Sequence, residues 1–364
     1  MTRVGAFIVR RIFASILTLL AMILVTFAIF WAIGSNPAPF LYPFAQHLYP
    51  YQIHRANHVF GLDRSKPTQF VDYVWHLARG DFGNQWSGAH VNANQSVTEV
   101  PISSYLFADT RITASLLLGG AVLVLLIALP LGALTARYRN SIGDRIVSIL
   151  TLAAICTHPM VVGLILRTAF GDRLKWLPDS GYCTFTKHPV PSNTFTTFGE
   201  LPCAGGPWPW FQHLILPWIS FALLFLALYI RMSRASVLEV MHEDFVRTAR
   251  AKGASESRVV GVHVLPNAGI RILTMIGMEI GTAIGIAIYI EAAFGLGGLA
   301  SLAVREFSGG VLDLPVILAI VTMITLVVIV GNLIVDLIYV FVDPRVGGGT
   351  MRARHADFTE TAVV

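Results

Sequence analysis

The stretch Ile112–Thr135 reads ITASLLLGGAVLVLLIALPLGALT and holds no charged residue. Its apolar positions run on without the polar alternation of a half-buried strand. At about 1.5 Å per residue, a helix of this length crosses the roughly 30 Å hydrocarbon core of a bilayer. No water reaches that core to satisfy backbone N–H and C=O groups, so a continuous apolar run predicts a helix. Similar runs lie on either side, at 11–33, 146–170, 213–230, 272–292 and 315–341, giving six predicted spans. The composition agrees, with 55% of the 364 residues apolar, 13% charged and a mean hydropathy of +0.66. The predicted fold class is an all-α membrane protein with six transmembrane helices. The first run exceeds the roughly 7–15 apolar residues of a signal peptide and reads as a retained anchor.

Orientation follows from Lys and Arg, which concentrate in cytoplasmic loops. Arg10 and Arg11, then Arg137, Arg139 and Arg145, then the loop 231–271, then Arg345, Arg352 and Arg354 all flank spans on one side. The opposite loops are longer in total but poorer in these residues. Both termini are therefore predicted to be cytoplasmic. The chain divides into an N-terminus with the first span (1–33), a long external loop (34–111), and a five-helix core (112–341). That core includes an external loop, 171–212, and the cytoplasmic loop 231–271; a cytoplasmic tail (342–364) follows. The net charge of +5 reads as topology, and no basic stretch is dense enough for nucleic acid. The aromatic-rich loop 34–111 is expected to carry one or two short surface helices.

Cys156 falls inside the third span and reads as packing. Cys183 and Cys203 share the external loop 171–212, whose compartment permits disulfides, and a bond between them is expected. The sequence contains no Gly-Lys dipeptide, which excludes a P-loop, and neither HExxH nor GxSxG occurs. The chain is read as non-catalytic, binding no metal or other cofactor itself.

Ionisable residues inside spans are costly and usually functional or paired. Glu279 lies in the fifth span, where it either hydrogen-bonds a neighbouring helix or lines a solvated path. His158, before Pro159, marks a kink and is a second candidate for the translocation path. Asp336 is expected to pair with a cytoplasmic Arg, and Arg167 to reach outward to the membrane surface.

Between the fourth and fifth apolar runs lies Asp244–Pro266, DFVRTARAKGASESRVVGVHVLP. Acids open it, and Arg247, Arg250 and Lys252 follow, which complements a helix dipole. Glu243 and Arg247 are four apart, the spacing of a helical ion pair. Gly253 suits a left-handed C-terminal cap, Ser255 an N-cap, and a second helix is expected from Glu256 to about Val264, ended by Pro266. A helix lying on a membrane would show a broader apolar face. Small residues and charges suit docking in a groove on a partner protein.

This stretch resembles the EAA loop of ABC importer permeases. Arg247-Thr248-Ala249 stands at the acidic-Ala-Ala triplet, Gly253 at the glycine and Leu265-Pro266 at the ending. Arg replaces the acid, Thr the first Ala, and His263 a usual Ile, while DFVRTARAKG is similar to the dipeptide/oligopeptide branch. The resemblance extends along nearly the whole chain. It includes Arg10-Arg11, Gly61-Leu62-Asp63, Arg79-Gly80-Asp81-Phe82-Gly83, Glu291 with Phe294 and Gly295-Leu296-Gly297, and Asn332, Asp336, Tyr339 and Asp343-Pro344-Arg345. It is strongest to the B-type subunit.

The resemblance implies the type I ABC importer permease fold in a bacterial inner membrane. The implied partners are a second homologous permease subunit, two ABC ATPase subunits (separate or fused) that hold ATP and Mg, and an extracellular substrate-binding protein. Asp244, Arg247, Thr248, Ala249, Arg250, Gly253, Leu265 and Pro266 are then the residues of the ATPase-coupling loop. Relatives in this branch carry dipeptides, longer peptides, nickel chelates or haem. A stand-alone secondary transporter or channel is the alternative; it requires ion-coordinating groups at the midplane, for which only Glu279 and His158 are candidates.

Overall fold

A computed structural model describes residues 3–33, 36–42, 47, 49–91, 97–138, 141–186, 203, 205–308 and 312–342. The tail beyond 342 and residues 187–202 lie outside it. Helix α1 (Arg3–Ile33) leads into three short helices, α2 (Ala38–Leu41), α3 (Pro50–Val59) and α4 (Lys66–Ala78), and a hairpin of β1 (Asn84–Val91) and β2 (Val97–Pro101). Helices α5 (Ser103–Arg137), α6 (Ile142–Cys156) and α7 (Pro159–Leu166) follow, the last running into a π-helical turn at Arg167–Arg173. Then come α8 (Pro207–Val240), α9 (Asp244–Ala251), α10 (Glu256–Arg258), a second π turn at Val259–Val264, α11 (Leu265–Phe294), α12 (Leu299–Ser308) and α13 (Leu314–Val342).

Helices α1, α5, α8, α11 and α13 each contain an uninterrupted segment long and apolar enough to cross a bilayer. The remaining apolar passage is broken. α6 ends at Cys156 and α7 restarts at Pro159, which has no N–H to continue the ladder. His158 occupies the break as N-cap, and its Nδ1 accepts the Met160 N–H at 3.3 Å. Pro217, by contrast, lies inside a continuous α8. Cys156 is exposed at the end of α6 and is not packed as the sequence suggested.

The core forms where α8 packs along α5 and against α11. Leu116, Leu214, Phe221, Ile290 and Phe294 are almost fully buried there. The helices approach closely because α5 presents glycine: a Cβ on Gly120 would sit 2.4 Å from the Phe221 ring, and one on Gly132 2.4 Å from the Ser233 side chain. At the other edge α1 packs along α13, where Arg11 Nε lies 2.5 Å from Asp336 Oδ2. Asp336 thus pairs with an arginine of the basic flank.

The loop after α1 is more structured than one or two helices. Trp86, 3% exposed, packs between Phe40 and Phe60, with ring centroids at 6.3 and 5.7 Å. This fixes β1 over α2 and α3. Asp313, immediately before α13, accepts the Ser87 N–H at 2.8 Å and ties the hairpin to the last span. Burial raises the Asp313 carboxyl above its ordinary range, an effect its backbone hydrogen bonds partly offset.

A second polar tie joins α5, α11 and α12. The Thr113 hydroxyl donates to Glu291 Oε1 at 2.5 Å and accepts the Leu299 N–H at 2.9 Å; Glu291 Oε2 accepts the Ser301 N–H, also at 2.9 Å. Glu291 is fully buried, and a buried carboxylate persists only when hydrogen-bonded in this way. Arg167 turns inward, donating from Nη1 to the Ala293 carbonyl at 2.8 Å. It therefore caps the C-terminal end of α11 and does not reach out to the membrane surface.

Candidate functional site

The segment joining α8 to α11 is folded onto the ends of three long helices. Val246, Val259 and Val264 are fully buried against Ala133 and Ala136 of α5, Val237 and Val240 of α8, and Ala268 of α11. Burying a valine contributes on the order of 1.5–3 kcal/mol, so these three side chains fix the segment against the spans. At its base, Arg271 of α11 forms a two-pronged ion pair with Glu239 of α8, one contact being Nη2 to Oε1 at 2.7 Å. That pair is exposed and sets geometry more than stability.

Helix α9 is one short amphipathic turn system. Val246 faces inward, and Ala249, three residues on, is half-buried on the same side. The outward face holds Asp244, Phe245, Arg247, Thr248 and Ala251. The sequence alone suggests that Ala249 belongs to a displayed small-residue surface; the structure packs it against the valines. Phe245, 43% exposed, contributes an apolar centre to this face.

After α9 the chain reverses at Gly253, whose φ of +79° lies in the left-handed region that glycine adopts without strain. Arg250 closes the reversal: its Nε donates to Glu256 Oε1 at 2.7 Å and its Nη2 to Oε2 at 3.3 Å. This hydrogen-bonded guanidinium holds the exposed Glu256 carboxyl below its ordinary value. Arg250 is therefore engaged within the loop, while Arg247 extends outward with a 3.9 Å contact to Asp244. The spacing of Glu243 and Arg247 is not used for a pair. Ser255 has the extended backbone of an N-cap but makes no capping bond, its hydroxyl lying 3.3 Å from that of Ser257. The predicted second helix is α10 plus a π turn, and it runs straight into α11. Leu265 and Pro266 begin α11 and do not end the preceding helix, because a proline in the first turn has no hydrogen bond to lose.

The two path candidates lie apart. His158 is exposed and meets α11 at Tyr289, edge to face at 4.7 Å between centroids. Glu279 is half-buried one helix face away, about 15 Å nearer the basic end at 1.5 Å per residue. Cys183 and Cys203 are disulfide-bonded with a Cα–Cα distance of 5.8 Å, and Gly181 beside them donates to the Phe294 carbonyl at 2.9 Å. The bridge thus lies beside a segment, at Gly181, that is hydrogen-bonded to the end of α11.

Several buried spans, a polar tie between them and a folded charged segment at one end are the parts of a membrane transport subunit. Comparison with known proteins agrees. Residues 128–348 match the family described as binding-protein-dependent transport system inner membrane component, and residues 4–96 match its N-terminal region. The chain is 32% identical to a di/tripeptide transport system permease protein of Pseudomonas aeruginosa, over 94% of this chain and 98% of that one. It is 29% identical to an oligopeptide transport system permease protein of Bacillus subtilis, over 94% and 99% respectively. The chain is an integral membrane permease subunit and belongs to the family of binding-protein-dependent transport system inner membrane components.

Proposed function

We propose that this permease forms half of the translocation pathway of an ATP-driven importer of dipeptides or oligopeptides in a bacterial inner membrane. A second homologous permease supplies the other half. Two ABC ATPase subunits, separate or fused, bind ATP and Mg, and an extracellular binding protein delivers the substrate. This chain binds no cofactor and catalyses no reaction. The Arg-rich end, with both termini, faces the cytoplasm. The names of the relatives support the substrate class.

The observation that carries the coupling role is the valine anchor beneath α9. A helix whose inner face is fixed to α5, α8 and α11 passes a displacement of its outer face to all three spans. The outer face, with Phe245 at its centre and Arg247 and Thr248 beside it, seats in a cleft of one ATPase subunit. Gly253 and the Arg250–Glu256 pair shape the turn, and Leu265 and Pro266 start the span that moves. ATP-driven closure of the ATPases then favours one arrangement of the spans by differential contact with this face. Glu279 and His158 line the path at different depths.

Site-directed crosslinking tests the contact. In the assembled complex, Thr248→Cys is expected to crosslink to an ATPase subunit, and Ala303→Cys, on α12 at the opposite end, is not. Crosslinking of neither position, in a complex that retains its ATPases, would contradict the assignment.

A further inference from the structure

Where α6 lies against α8, near the Arg-rich end of the spans, a cavity of 280 Å³ opens at the surface. Its floor is the ion pair of Asp144, 6% exposed, with Arg234: Nη1 to Oδ1 at 2.8 Å and Nη2 to Oδ2 at 2.9 Å. Val147, Leu152 and Ile230 form apolar walls, and the exposed Arg231 stands at the mouth. Among the described residues Arg231 has no hydrogen-bond or ion-pair partner.

Two guanidinium groups against one carboxylate leave the cavity with one net positive charge. The hydrogen bond to Asp144 Oδ2 occupies one of the five N–H donors of Arg234, so donors remain on both arginines. Arg231 is also the first charge after the apolar run 213–230, which places it where hydrocarbon gives way to headgroups. An occupant therefore needs an oxyanion at one end and an apolar tail at the other. Free phosphate and a peptide carboxylate meet the first requirement alone. A zwitterionic lipid carries a cation beside its phosphate, which the net charge disfavours.

We infer that the cavity seats the phosphate of an anionic glycerophospholipid, with Arg231 as its principal ligand and one acyl chain against Val147, Leu152 and Ile230. Basic recesses between spans on this side of a membrane suit such headgroups. The bound lipid braces α6 against α8 directly below the coupling segment. The inference does not depend on which substrate the permease carries.

Native mass spectrometry of the delipidated full-length chain tests it, with phosphatidylglycerol or phosphatidylcholine added at equal concentration. One phosphatidylglycerol is expected to be retained in preference to phosphatidylcholine. Arg231→Ala is expected to weaken retention about fivefold, and Arg231→Lys to keep most of it. Without lipid, Arg231→Ala is expected to melt as the parent does; a lower melting temperature there would make Arg231 structural and overturn the assignment. Equal retention of the two lipids, or unchanged retention by Arg231→Ala, would also overturn it. Glycerol phosphate and a dipeptide are added as competitors and should not displace the lipid. Displacement by glycerol phosphate would assign a simple phosphate site, and displacement by the dipeptide a substrate site, and either result replaces the lipid proposal.

Discussion

Arg250 and Glu256 close the turn around Gly253: the guanidinium Nε lies 2.7 Å from the carboxylate Oε1, with the φ = +79° glycine between them. A Cβ at Gly253 would meet nothing within 4 Å, so any cost of substitution comes from the backbone alone. A β-branched residue in this conformation costs about 1–2 kcal/mol or more, whereas Asn tolerates it. Gly253→Asn should therefore keep substrate-stimulated ATP hydrolysis in the reconstituted complex, and Gly253→Val should lose most of it at normal membrane levels. Equal activity of the two variants would show that the left-handed turn is not needed.

The polar tie at the opposite end predicts a packing effect. A Cβ on Gly298 would lie 2.5 Å from Glu291 Oε1 and 2.7 Å from Thr113 Oγ1. Both atoms are held in place by their mutual hydrogen bond. Gly298→Ala should destabilise the protein by about 1–3 kcal/mol, as overpacking does, and should lower the melting temperature measured in detergent. An unchanged melting temperature would mean that α12 shifts freely away from Glu291.

Much of the spans was legible because uninterrupted apolar runs such as Ile112–Thr135 have one solution in a bilayer. The break at His158–Pro159 was signalled by the proline. The π turn at 259–264 and the hairpin at 84–101 were not legible. Each depends on side chains brought from distant segments, Ala133 and Val237 for the first, Phe40 and Phe60 for Trp86 in the second. The same limit explains Ala249. Its small size suggested display, but the rotation of α9 is set by Val246, three residues before it, which sinks among the ends of α5 and α8. The signal was present as the spacing of Val246 and Ala249 and would have placed Phe245 and Thr248 outward.

The hairpin tie makes stability pH-dependent. Burial raises the Asp313 carboxyl above its ordinary value, so the folded state holds that proton more tightly than the unfolded state. Stability is then greatest below the unfolded value and falls as pH rises through the folded one. Asp313→Asn keeps a carbonyl to accept the Ser87 N–H and removes the titration. Melting temperatures measured across the carboxylate range and just above it should fall more steeply with rising pH in the parent than in Asp313→Asn. Parallel profiles would remove Asp313 from this role.

The Cys183–Cys203 bridge closes a loop with a sequence separation of 20 residues, for which the chain-entropy relation gives roughly 3 kcal/mol of local stabilisation. Alkylation of the unfolded, unreduced protein should label one thiol, that of Cys156, and all three after reduction. Three labels without reductant would contradict the bridge.

The central claim is that the outward face of α9 transmits ATP-driven motion to the spans. Thr248 lies on that face, exposed, while Val246 and Ala249 hold the inner one. Thr248→Trp adds bulk to the docking surface and leaves the anchor untouched. The direct measurement is ATP hydrolysis and peptide uptake by proteoliposomes containing the assembled complex. The account predicts normal membrane levels and normal pairing with the second permease, with both stimulated hydrolysis and uptake lost. A Thr248→Trp complex that hydrolyses ATP and takes up peptide as the parent does would contradict it.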